Sequence, residues 1–157
     1  MTATAKQAVA TQRPVSVILA AVLLGFLAVT ATAGGLALSA GAAPPDEWLD
    51  DIPVLDTWLI PGLVLAVGFG IGSAVAAFGL WHRPNWSWLA WVERPTGHHW
   101  SWLATILIGA GQALWIGLEL IYLPELSVLQ AVYGPLGLAL AILPFTSGMR
   151  AHLRIRS

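Results

Sequence analysis

SWLATILIGAGQALWIGLELIY, residues 101–122, is an apolar run of membrane length that nonetheless carries Gln112 and Glu119. A helix turns about 100° per residue, so Ser101, Thr105, Gln112 and Glu119 fall within roughly 40° of one line on its surface. A carboxylate in hydrocarbon costs about 3 kcal/mol on the insertion scale. The polar line is therefore expected to face other helices or a water-filled cavity, and a chain that contains it needs a bundle.

The composition agrees. Of 157 residues, 57% are apolar and 10% charged, against about 25% charge in an ordinary soluble domain. A hydrocarbon core of about 30 Å requires about 20 apolar residues at 1.5 Å each. Four runs reach or approach that length: Val15 to Leu38, Trp58 to Trp81, Trp102 to Leu123 and Leu126 to Phe145. The predicted fold class is all-α. It is a four-helix transmembrane bundle forming a single integral membrane domain over residues 1–157, with short interfacial helices in the loops joining spans one to two and two to three.

Lysine and arginine lie in three places: the N-terminal tail (Lys6, Arg13), the middle loop (Arg83, Arg94) and the C-terminal tail (Arg150, Arg154, Arg156). Cytoplasmic segments accumulate these residues. Both termini and the middle loop are thus expected in the cytoplasm of a multi-pass plasma-membrane protein, which fits an even number of spans. Asp46, Glu47, Asp50, Asp51, Asp56 and Glu125 are then left on the outer side. There is no cysteine, so disulfides, thiol redox chemistry and thiolate metal sites are excluded.

Along the chain, residues 1–13 read as a polar tail. Ala40, Gly41 and Ala42 resemble a signal cleavage site, but the apolar core before them greatly exceeds the 7 to 15 residues of a signal peptide, so an uncleaved first helix is expected. Pro44 and Pro45 end it. Between Asp46 and Asp56, Trp48, Leu49, Ile52 and Leu55 recur at helical spacing among the acids. That pattern suits a short amphipathic helix at the headgroups, and the spacing matches no calcium loop. In the second span Gly68, Gly72 and Ala76 repeat every four residues, as do Gly109, Ala113 and Gly117 in the third. Such rows permit close helix packing, and the glycines at 68, 70 and 72 lie inside an apolar helix, unlike a phosphate loop.

The middle loop gathers Trp81, Trp86, Trp88, Trp91, Trp100 and Trp102 with His82, His98 and His99, and repeats Trp-Ser-Trp-Leu-Ala at 86–90 and 100–104. Tryptophan favours the headgroup region. Residues Asn85 to Val92 are expected to form an interfacial segment ended by Arg94-Pro95-Thr96-Gly97. Adjacent histidines point in different directions, so His98 and His99 read as interfacial rather than as haem or zinc ligands. No cofactor and no metal is expected.

Trp115 and Tyr122 flank the Gln112–Glu119 line. Glu119 lies about one turn, roughly 6 Å, from the end of its span. A short turn at Pro124-Glu125 makes the last two spans antiparallel neighbours and brings Gln130 and Tyr133 level with Glu119. Glu119, Gln112, Gln130, Tyr133, Trp115 and Tyr122 thus form the candidate intramembrane polar site. It serves either as an interhelical hydrogen-bond anchor, with Gln130 or Tyr133 as partner, or as a protonatable site on a small pathway. Pro135 and Pro144 are expected to bend or end the fourth span. The basic tail after Ser147 can touch anionic lipid.

With Pro61-Gly62-Leu63-Val64-Leu65, Trp115-Ile116-Gly117-Leu118-Glu119, and Leu129-Gln130 followed by Tyr133-Gly134 and Gly137, residues 55 to 145 resemble a family of small uncharacterised four-span bacterial membrane proteins. The plan is also broadly similar to that of DoxX-like membrane proteins. The resemblance implies the four-span topology and Glu119 as part of a recurrent pattern, but no activity.

No nucleophile and base pair or metal cluster is legible, so a membrane enzyme ranks last. The first expectation is a non-catalytic accessory or scaffold subunit. Its partners are membrane lipid, another membrane protein or a second copy of the chain as a homo-oligomer, and nucleic acid is not among them. The alternative is an oligomeric proton-linked or small-solute transporter centred on Glu119 and Gln112.

Overall fold

A computed structural model of the chain describes residues 13–155, apart from 43, 46–48, 50, 51, 53, 54, 124 and 126. Lys6, Arg156, the Pro124 turn and most of the acidic stretch, with Asp46, Glu47, Trp48, Asp50 and Asp51, lie outside the described residues. So does most of the amphipathic helix expected there.

The described residues are helical, and four helices are long and apolar enough to cross a membrane. Helix α1 is Val15–Ser39, and α2 is Leu59–His82. After a 3-10 turn at Ser87–Leu89 come the short helix α3, Ala90–Thr96, and then α4, Trp100–Tyr122. Helix α5 is Val128–Ile142, extended by a 3-10 turn at Leu143–Phe145, and α6 is Ser147–Leu153. The four long helices pack in chain order, α1 on α2, α2 on α4 and α4 on α5. Phe26 of α1 stacks on Tyr133 of α5 with ring centroids 6.0 Å apart, which joins the first helix to the last.

Two span starts shift by two residues from their expected positions, each for a capping reason. Helix α4 begins at Trp100 rather than Trp102 because the His99 side chain accepts the Ser101 N–H. Helix α5 begins at Val128 because Ser127 and Gln130 form a capping box, Ser-x-x-Gln, which satisfies N–H groups that a helix start leaves without partners. Pro135 does not end α5, which continues through it to Ile142, where Pro144 converts the last turn to 3-10. Likewise α3 runs through Pro95 and ends at Gly97, whose φ of +64° is the left-handed conformation glycine takes at a helix C-terminus.

The middle of α2, Val64–Ile71, is a π-helix. Its wider turn rotates the helix face relative to a 100° wheel. Gly62 and Gly70, with Ala66 between them, face α1: a Cβ on Gly62 would stand 2.8 Å from the Gly35 carbonyl, and one on Gly70 would stand 3.0 Å from the Thr32 amide. Gly68 and Gly72 meet only atoms of their own helix, so of the expected row only Ala76 is buried in the bundle. In α4, Gly109 packs against Gly137 and Leu140 of α5, whereas Gly117 meets nothing within 4 Å.

The first and last described residues lie near the middle loop. Arg13 Nη2 donates to the Trp81 carbonyl at 3.2 Å. The His99 N–H donates to the Leu153 carbonyl at 2.8 Å, and the Ile155 N–H to the Gly97 carbonyl at 3.1 Å. The start of α1, the loop between α2 and α4, and α6 therefore occupy one end of the bundle.

Candidate functional site

The polar line of α4 is turned inward. Ser101 and Thr105 are fully buried, and Gln112 is 3% exposed. Thr105 Oγ1 donates back to the Ser101 carbonyl at 2.7 Å, which satisfies the hydroxyl within the helix. Gln112 sits at the Gly137 contact, where a Cβ added to Gly137 would stand 3.1 Å from Gln112 Cβ. Its Oε1 is buried without a hydrogen-bond partner among the described residues. An unsatisfied amide oxygen costs about 1–3 kcal/mol.

Two turns further on, Glu119 is held from two helices. Trp115 Nε1 donates to Oε1 at 2.6 Å, and Gln130 Nε2 donates to Oε2 at 3.1 Å. The first bond joins neighbours four apart on α4, and the second crosses to α5. Gln130 Oε1 accepts from both the N–H and the hydroxyl of Ser127, each at 2.7 Å, so the capping box fixes which end of the amide points at Glu119. Phe69, in the π segment of α2, meets Trp115 edge to face at 6.1 Å. Three long helices thus contribute to one arrangement around the carboxylate.

Of the candidate residues, Trp115, Glu119 and Gln130 come together. Gln112 lies on the same face about 10 Å away along the axis. Tyr133 stacks on Phe26 instead, and Tyr122 is 37% exposed at the helix end. Neither tyrosine joins the hydrogen bonds to the carboxylate.

The tryptophan and histidine loop is more enclosed than its sequence suggests. His98 and His99 are 7% and 6% exposed, so both rings are enclosed by the protein. The reason is that loop carbonyls fold over both rings. His98 Nδ1 bonds the Thr96 carbonyl at 2.7 Å, and its ring stacks on Trp102 at 4.7 Å. His99 Nε2–H donates to the Pro84 carbonyl at 3.0 Å, while Nδ1 accepts from the Ser101 hydroxyl at 2.8 Å and from the Ser101 N–H. Burial pushes the His99 imidazole below its usual value. The Pro84 carbonyl and Glu93 push back, and Arg83 adds to the depression. The ring is therefore neutral at pH 7, and Glu93 Oε1 at 3.9 Å makes a contact with it rather than an ion pair.

Trp86 stacks between Trp88 and Trp100 at 5.9 and 4.9 Å, and Trp102 Nε1 donates to the Pro144 carbonyl at 2.8 Å. Trp88 and Trp91 are 68% and 72% exposed. Among the described residues no three His, Cys, Asp or Glu converge as metal ligands.

Sequence reasoning missed His99 as a helix cap and Gln130 as part of a capping box. The Ser-x-x-Gln spacing before an apolar run was a usable signal for the second. No protein family, no curated protein and no solved structure matches the chain.

Proposed function

We propose that the chain is a multi-pass plasma-membrane protein with both termini and the middle loop cytoplasmic. In this reading it acts as a non-catalytic accessory or scaffold subunit in contact with lipid or another membrane protein. Charge supports the orientation. Arg13, Arg83, Arg94, Arg150 and Arg154 belong to the end formed by the α1 start, the middle loop and α6, while Asp56 and Glu125 belong to the opposite end. Helix α3 and the exposed Trp88 and Trp91 then lie at cytoplasmic headgroups.

The scaffold role rests on one observation: both Glu119 oxygens are occupied, one by Trp115 of its own helix and one by Gln130 of the next. A carboxylate used this way clasps α4 to α5. The unpartnered Gln112 oxygen favours the second reading, an oligomeric proton-linked or small-solute transporter along Gln112 and Glu119. A pathway in so small a chain would need several copies.

The test is Glu119→Gln in proteoliposomes holding a pH-sensitive dye, with the melting temperature and the copurifying partners measured alongside. The scaffold role expects no proton flux above protein-free vesicles from either form, and weaker assembly for the variant. A wild-type flux abolished by the substitution at unchanged melting temperature would replace it with the transport reading.

A further inference from the structure

The clustered end of the bundle carries a feature that the polar line of α4 does not explain. Between α1 and α2 runs an open groove of about 340 Å³, lined by Ala21, Val22, Ala77, Phe78, Trp81 and His82. Its walls are apolar and its mouth is basic. The Arg13 guanidinium lies 4.0 Å above the Trp81 ring while donating to the Trp81 carbonyl. That bond uses one of its five N–H groups. Arg83 follows His82 directly, in the left-handed conformation at φ +49°, which is uncommon outside glycine. His152 of α6 completes the cluster. Burial pushes its imidazole down, and the charges of Arg83 and then Arg13 push it further.

Among the described residues no acid lies within ion-pair distance of Arg13 or Arg83. Glu93 accepts the Trp100 N–H at 3.1 Å and lies beside His99. Glu119 is engaged at the far end of α4. Asp56 and Glu125 belong to the connections at that far end. Arginine that forms no ion pair among the described residues, at the mouth of an apolar groove on a membrane-exposed surface, suits an amphiphile with a negative head.

We propose that this groove binds one anionic phospholipid of the adjacent leaflet, an acyl chain lying between Val22 and Phe78 and the phosphate against Arg13 and Arg83. The arginine fork suits phosphate oxygens, and the stacking on Trp81 holds Arg13 at the height of the headgroups. The inference rests on the membrane-spanning reading above and is independent of the scaffold role.

The experiment is native mass spectrometry of the full chain released from nanodiscs of equimolar phosphatidylglycerol and phosphatidylcholine. The wild type is expected to retain phosphatidylglycerol in excess. Arg13→Gln and Arg83→Gln should each lower that excess about fivefold, Phe78→Ala should lower it with every charge in place, and Arg94→Gln should leave it unchanged. Equal retention of the two lipids by the wild type overturns the site, as does a loss with Arg94→Gln equal to that with Arg13→Gln. Equally tight binding of inorganic phosphate to lipid-free protein also overturns it, because the head alone would then suffice. Any of these with normal incorporation into the bilayer removes the lipid site only. Failure to incorporate removes the membrane reading with it.

Discussion

Replacing Gln130 by alanine removes two contacts of one amide: its oxygen closes the Ser127 capping box and its nitrogen holds Glu119. Ser127 still accepts the Leu129 N–H, so losing the Gln130 half of the box costs less than the about 1 kcal/mol of a whole N-terminal cap, and an interhelical hydrogen bond in a membrane averages about 0.6 kcal/mol. Gln130→Ala should therefore lower stability by about 1 kcal/mol, measured by unfolding in detergent. Gln130→Glu keeps the cap but sets two carboxyl groups together, and should be worse at pH 8 than at pH 5. His99 provides a separate pH dependence. Its Nδ1 accepts from Ser101, which only the neutral ring can do. Because the folded value is depressed, the unfolded chain binds the proton more readily. Stability is then full above the ordinary imidazole value of about 6.5 and is lost as pH falls through the folded value. His152 has the same sign, so the wild type must be compared with His99→Asn, which caps without titrating. The stability difference between the two should narrow or reverse between pH 7.5 and pH 5.5, and a difference independent of pH would remove this role for His99.

At the scale of elements, the close glycine contacts position the helices. A Cβ on Gly137 would stand 2.8 Å from the Ala113 amide of α4, so the backbone itself must move. Overpacking of this kind costs about 1–3 kcal/mol. Gly137→Ala is expected to lower the melting temperature clearly. Gly117→Ala, at a position with nothing within 4 Å, should leave it unchanged or raise it. Equal effects at the two positions would show that these contacts do not hold the bundle. The same elements mark how far the sequence could be read. The inward face of α4 was legible because a carboxylate and an amide on one line of an apolar helix allow few alternatives, and Trp115 with Glu119 is a spacing of four. The bond from Gln130 was not fixed by spacing, since it depends on the register that Gly109 and Gly137 set between α4 and α5. The glycine row of α2 was misassigned because Gly62, Ala66 and Gly70 make a second row of the same spacing, and spacing alone does not say which of the two meets α1. The enclosure of His98 and His99 by the Thr96 and Pro84 carbonyls was not legible, because no periodicity reports it.

For the molecule as a whole, Arg13 on Trp81, His99 on Leu153 and Ile155 on Gly97 tie the start of α1, the end of α6 and the middle loop into one end of the bundle. That arrangement requires an even number of crossings. It also brings the basic residues together, and the proposed lipid site and the proposed orientation follow from it. Since the chain has no cysteine, single cysteines report without background. The most direct test labels intact cells with a membrane-impermeant maleimide after Asp51→Cys, Ser87→Cys or Ser157→Cys. Labelling of the Asp51→Cys protein is expected in intact cells, and of the other two only after lysis. Labelling of Ser87→Cys and Asp51→Cys from the same side would contradict it.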